Sequence, residues 1–120
     1  MEKKRDLKER TFNFSKKSID LVNKLPKNIV NQTLGKQYLN AATSIGANYR
    51  EADGAESPRD FLHKTGVIIK EAKESLYWLG LIKYNNKALE IDVDKLICEA
   101  KELILIFSKI SLNVKAKLKP

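Results

Sequence analysis

Four stretches of apolar residues spaced three and four apart, separated only by proline, glycine and asparagine signals, leave this chain few folds other than a bundle of helices. Leu7, Phe14, Ser18, Leu21, Val22 and Leu25 share one helical stripe. Leu25-Pro26 closes it, because proline disfavours helix in the residue before it. A second helix carries Leu34, Tyr38, Ala41, Ile45, Tyr49 and Ala52 inward and stops at Gly54. The sharpest signal follows: Ser57 is an N-cap, Pro58 supplies the preset φ of the first helical position, and Asp60 lies near the unbonded N–H groups of the first turn. The third stripe is Phe61, Leu62, Thr65, Ile68, Ile69, Ala72, Leu76 and Leu79. Asn85-Asn86 then begins a loop, and Asp92 is the expected cap of a fourth helix bearing Leu96, Ile97, Ala100, Leu103, Ile104, Phe107 and Ile110. The predicted helices cover about 7–25, 29–53, 58–84 and 92–111, with frayed ends. Short connections favour an all-α, antiparallel up-down-up-down four-helix bundle in a single domain spanning 1–120.

At 120 residues the chain can bury one core but not two. Its longest strongly apolar run, Leu103–Phe107, is far short of the roughly 20 residues of a membrane span. The charged opening Met1-Glu-Lys-Lys-Arg-Asp6 lacks the apolar segment of a signal peptide. A cytoplasmic protein is expected, with Cys98, set in the apolar stretch from Leu96 to Phe107, as a buried, inert thiol.

The middle of the second helix is small: Ala41, Ala42, Ser44, Gly46 and Ala47. A helical glycine costs up to about 1 kcal/mol relative to alanine, so Gly46 implies close approach of a neighbouring helix. Elsewhere there is more apolar surface than four stripes need. Phe12 and Ile19 lie off the first stripe, Tyr77, Trp78, Leu81 and Ile82 make the end of the third helix apolar nearly all round, and Leu105 and Ile106 lie off the fourth stripe. Residues apolar on two faces call for burial on two faces, so these eight are the expected interface of a homo-oligomer.

The net charge of +8 is unevenly distributed. Residues 1–25 and 109–120 account for all of it, and in the expected topology they converge at one end. The resulting basic pole is Lys3, Lys4, Arg5, Lys8, Arg10, Lys16 and Lys17 with Lys109, Lys115, Lys117 and Lys119. Around the turn between helices two and three, Asn48, Arg50, Glu51, Arg59, Asp60 and His63 form a polar cluster. Its expected role is structural, an interhelical network of hydrogen bonds and ion pairs with His63 hydrogen-bonded at the margin of the core; the alternative is a recognition surface. One histidine and no Glu-x-x-His argue against a di-metal carboxylate bundle, so no metal or other cofactor is expected. No nucleophile with a supporting base and no Gly-rich phosphate loop is present, and an enzyme is not expected.

The stretch from Gln37 to Ala52, which includes Thr43-Ser-Ile-Gly-Ala-Asn48, followed by Ser57-Pro-Arg-Asp-Phe61 and by Lys70-Glu-Ala-Lys-Glu-Ser-Leu-Tyr-Trp-Leu79, resembles one family. It is similar to the bacterial four-helix-bundle proteins encoded within intervening sequences of large-subunit ribosomal RNA genes, relatives of the accessory variability proteins of diversity-generating retroelements. The resemblance covers about residues 10–110. It implies a homopentameric barrel with a basic surface that, in the retroelement relatives, supports binding of nucleic acid and of a reverse transcriptase. Asn48-Tyr49-Arg50-Glu51-Ala52 stands where many members have Asn-Ile-Ala-Glu-Gly, which marks a sub-branch. The expected function is nucleic-acid binding, RNA or DNA, through phosphates and the basic pole. The alternative is a scaffold for an acidic or nucleic-acid-bound protein such as a reverse transcriptase, and a third reading is a metal or small-molecule bundle.

Overall fold

The computed structural model describes the backbone of residues 2–119 and the side chains of residues 6–119. Among them are four long helices and no strand: α1 (Glu2–Lys24), α2 (Ile29–Asp53), α3 (Pro58–Asn85) and α4 (Glu90–Leu118), with a 3-10 turn over Lys87–Leu89. Two starts follow directly from local chemistry. Asn28 Oδ1 accepts the N–H of Asn31 at 2.9 Å ahead of α2. Ser57 Oγ accepts that of Asp60 at 3.1 Å, with Pro58 in the first helical position.

The fourth helix departs from expectation at both ends. Asp92 is not its cap: the 3-10 turn, closed by Leu89 N–H donating to Asn86 O at 2.9 Å, winds straight into α4, and Leu89 at the cap position makes no side-chain bond. Nor does the chain fray after Ser111. Ser111 is buried and Val114 half-buried, so the packed face continues, and Lys115 and Lys117 in the last turn suit the negative end of the helix dipole.

The core is built from Phe14, Leu21, Tyr38, Ile45, Ile68, Leu79, Ile82, Leu103 and Phe107. Each large apolar side chain fully buried there contributes about 1.5–3 kcal/mol. Ile82 belongs to this set at 0% exposure, which removes it from the expected oligomer face: it shares an inward line with Leu79, three residues earlier. Cys98 is likewise corrected, since it is exposed on α4. Tyr38 is the largest fully buried side chain. Ser18 Oγ donates to Phe14 O at 2.7 Å, so its one proton is used and the 2.6 Å bond to Tyr38 is donated by the phenol. Burial pushes the Tyr38 phenol up, and the Ser18 contact only partly opposes this.

Gly46 is where the backbones of α1 and α2 come together. A Cβ there would lie 3.4 Å from Thr11 O, as the run of small residues implies. At the other end, Asn31 and Asn86 form a buried reciprocal amide pair. Asn31 Nδ2 donates to Asn86 Oδ1 at 3.0 Å, and Asn86 Nδ2 donates back to Asn31 Oδ1 at 2.9 Å. Asn31 Nδ2 also donates to Pro26 O, and Asn86 Nδ2 to Ile82 O, both at 2.9 Å. The clasp ties the α1–α2 connection to the α3–α4 connection.

Ion pairs record how the helices lie. Lys8, early in α1, meets Asp53 at the end of α2 (2.9 Å); Glu51, late in α2, meets Lys64, early in α3 (2.7 Å); and Lys83, late in α3, meets Asp94, early in α4 (2.8 Å). Lys24 at the end of α1 meets Asp92 at the start of α4 (3.1 Å). Packing is most extensive between α2 and α3 and least between α1 and α4. There an open groove of about 670 Å³ runs between the two helices. The principal extents are 53 × 23 × 20 Å.

Candidate nucleic-acid interface

The cations of α1 divide into two groups. Arg10 is committed to α4: its Nε and Nη2 donate to the two carboxylate oxygens of Glu99 at 2.8 and 2.9 Å, and Nη2 also donates to Glu102 at 2.8 Å. The hydrogen bonds to Glu99 and then Glu102 raise the guanidinium pKa further, against the opposing effect of burial. Lys8 and Lys24 are held by Asp53 and Asp92. A fork of this kind serves helix packing, so Arg10 and Lys8 are not free members of the basic pole expected from sequence. Lys16 and Lys17 are exposed and have no carboxylate partner among the described residues. Lys17 lines the α1/α4 groove with Asn13, Lys95 and Cys98, while Lys16 turns to the opposite side of α1. Lys3, Lys4 and Arg5 lie outside the described side chains.

The tail lysines belong to a helix. Lys109, Lys115 and Lys117 project from α4 and Lys119 follows it; all four are exposed, and the sequence has no acid after Glu102. Because Arg10 pairs with Glu102, the last turns of α4 run toward the end at which α1 begins. Leu112 and Leu118 lie exposed among these lysines.

On the outer side of α1, Phe12 is 50% exposed and accompanied by two cations: Lys16 Nζ lies 5.2 Å from the ring centroid and Arg50 Cζ 5.7 Å. Arg50, expected in the turn cluster, makes this different contact instead. The cluster as a whole is not a network. Among the described residues Glu51 alone of the cluster pairs across the α2–α3 turn, to Lys64; Asn48 donates to Ser44 O within α2, Asp60 completes the Ser57 cap, and Arg59 and His63 are exposed. His63 is therefore not at the core margin. A tight turn leaves these side chains pointing in different directions around two helices.

Of the remaining residues expected at an oligomer interface, Tyr77 is 62% and Leu105 69% exposed, and Ile19 is exposed; Trp78, Leu81 and Ile106 are half-buried. Trp78 Nε1 donates to Glu74 at 3.2 Å and its ring meets Tyr77 edge to face at 5.0 Å. Sequence reasoning missed a regularity on α4, where Ile91, Cys98, Leu105 and Leu112 recur every seven residues and all are exposed. The signal was legible, because a seven-residue spacing keeps one side of a helix in line. It also missed Gly66, Gly80 and Tyr84, which share the outer face of α3 with Tyr77; a Cβ at either glycine would meet nothing within 4 Å.

Among the described residues no cluster of three His, Cys, Asp or Glu could hold a metal, and no helix is long and apolar enough to cross a membrane. No curated protein matches the chain. A solved structure does: a protein of unknown function from the S23 ribosomal protein family of Bacteroides thetaiotaomicron VPI-5482, 28% identical, covering 88% of this chain and 97% of that one with a TM-score of 0.77. The sequence profile of the 23S rRNA-intervening sequence proteins matches residues 3–109. That profile covers most of the chain, and the chain belongs to the 23S rRNA-intervening sequence protein family.

Proposed function

We propose that this protein is a non-enzymatic, cytoplasmic binding module: an antiparallel up-down-up-down bundle, assembled as a homopentamer, that holds nucleic acid by its phosphates. The observation that carries the reading is the division of the charges. Asp53, Glu51, Glu90, Asp92, Asp94, Glu99 and Glu102 are engaged with lysine or arginine of a neighbouring helix, whereas Lys109, Lys115, Lys117 and Lys119 have no carboxylate partner among the described residues and no acid follows Glu102 in the sequence. The surplus of positive charge is therefore presented to solvent on the last turns of α4, while on α1 the exposed Lys16 and Lys17 stand among the exposed Asp6, Glu9 and Asp20. Phosphate contacts of this sort carry affinity without base specificity. A ring of subunits would multiply them, because one strand can touch several copies. The exposed residues Tyr77 and Leu105, with Trp78, Leu81 and Ile106 beside them, support the oligomer.

The test is fluorescence anisotropy of labelled structured RNA and duplex DNA, titrated from low to physiological salt. Affinity should fall as salt rises. In the variant K115Q/K117Q/K119Q the slope of log K against log salt on the duplex should shrink by up to about 0.9 for each phosphate the protein no longer neutralises. Absence of binding at low salt would overturn the reading. One observation favours a second: Leu112 and Leu118, exposed between the tail lysines, suit a protein surface as well as a phosphate backbone, so an acidic or nucleic-acid-bound protein such as a reverse transcriptase is the alternative partner. A stable complex with such a protein, formed by a chain that binds no RNA or DNA, would select it.

A further inference from the structure

We propose that Phe12, flanked by Lys16 and Arg50, is a stacking platform for an unpaired base, so that the nucleic acid this protein prefers is single-stranded. The proposal rests on the phosphate-binding reading and names the form of the ligand.

The platform is a product of helix packing. Gly46 allows the α1 backbone at Thr11 to approach α2 closely, with Thr11 O 3.4 Å from where a Cβ would stand. Phe12 is the residue after Thr11, and Arg50 lies one turn beyond Gly46, so the same close approach brings the guanidinium across the seam to 5.7 Å from the ring. Lys16, one turn along α1, supplies the second cation at 5.2 Å. Half of the ring remains open to solvent.

One feature distinguishes this arrangement from a patch awaiting a second copy of the chain. Neither Lys16 nor Arg50 has a carboxylate partner among the described residues, so burying Phe12 in a subunit contact would bury two charges without compensation, which is costly. Both cations lie over the ring, so a stacking base takes the place of at least one of them: the base stacks on the ring while Lys16 and Arg50, held only by weak exposed contacts with it, turn to the adjacent phosphates. A duplex keeps its base faces inside the stack and offers the ring only edges and sugar. The platform therefore selects for unpaired strands, and because every base has a stacking face it does so with little regard to sequence.

The test uses the full chain, labelled oligo(dT), and the oligo(dT)·oligo(dA) duplex at low salt. Wild-type protein should bind the single strand more tightly. F12L, which keeps an apolar side chain but removes the ring, should reduce the single-strand to duplex affinity ratio about five-fold or more, the lower end of what one stacked base contributes. A second variant guards against a folding artefact. In F12W/W78F the only tryptophan is at position 12, and its fluorescence should be quenched on addition of oligo(dT). An unchanged ratio in F12L, or no quenching in F12W/W78F while binding persists, overturns the platform and leaves phosphate binding standing. A wild-type protein that binds neither probe overturns both. A change of oligomer mass in F12L would assign Phe12 to a subunit contact and also overturn the platform.

Discussion

Replacing Asn31 by alanine removes four hydrogen bonds at once, but the four removals are unequal. Pro26 and Asn85 are exposed, so the Pro26 carbonyl and the Asn85 amide, which donates to Asn31 Oδ1 at 3.1 Å, can turn to water. Asn86 Nδ2 keeps its bond to Ile82 O. Asn86 Oδ1 is different: it is buried, and its bond from Asn31 Nδ2 is the one that the substitution deletes outright. A stranded buried acceptor costs about 1–3 kcal/mol, and the bonds that re-form with water cost a further ~1 kcal/mol in all. N31A is therefore expected to destabilise the fold by about 2–4 kcal/mol, a large share of the roughly 5–15 kcal/mol that holds a domain together. Urea denaturation at matched protein concentration measures it, through a lower midpoint at unchanged slope. The double variant N31A/N86A removes the very acceptor that N31A strands, so its effect should be smaller than the sum of the two single effects by about 1 kcal/mol or more. An N31A variant within about 0.5 kcal/mol of wild type, the usual range of ordinary surface substitutions, or strict additivity in the double, would refute the account of the clasp.

Three further outcomes follow from the same reasoning. Gly66 and Gly80 sit in an exposed helix interior with open space where a Cβ would go, so G66A and G80A should each stabilise an isolated subunit by about 0.5–1 kcal/mol; no gain, in urea unfolding, would mean that another chain packs on this face of α3. Methionine at Arg10 removes three charge-assisted bonds to Glu99 and Glu102 while keeping much of the packed stem. R10M should cost about 1–2 kcal/mol in low salt, and R10K should recover only part of that because an ammonium cannot form the fork. The Glu71 carboxyl is raised above its ordinary 4.5, first by burial and then by Glu74. The folded state then binds the proton more tightly than the unfolded one, so this contribution to stability is fully present below pH 4.5 and is lost as pH rises through the folded value. E71Q should accordingly stabilise the protein at pH 7 and give no such gain well below pH 4.5, as read by denaturation at the two pH values.

The parts of this molecule that can be read from sequence are those fixed by near neighbours in the chain. Ser57-Pro58-Asp60 announces α3 because a cap acts within one turn, and the small residues around Gly46 announce a close helix because nothing else compensates a helical glycine. Ile82 misleads for a definable reason. Ser75 interrupts the apolar pattern of α3, yet it is buried and satisfied by its own helix through a 2.9 Å bond to Glu71 O, so the inward line runs Ala72, Ser75, Leu79, Ile82 without a break. The candidate interface is harder. Arg10 and Glu99 stand 89 positions apart, and no count of charge along the chain can reveal that they neutralise each other. The contact of Arg50 with Phe12 depends on the angle at which two helices meet. Asn31 and Asn86 each look like ordinary loop and cap residues until the two connections are brought together.

The groove between α1 and α4 has a consequence for how the bundle responds to its surroundings. Of the neighbouring helix pairs α1 and α4 touch least, and they are bridged by Arg10 with Glu99 and Glu102 and by Lys24 with Asp92. That edge is tuned by dissolved ions, as exposed ion pairs are. A polyanion lying along α1 competes for the same cations. Phosphates that reach Arg10 or Lys24 must first displace a carboxylate of α4, so occupancy of this side and closure of the bundle oppose each other, and the edge is where ligand can be felt by the fold.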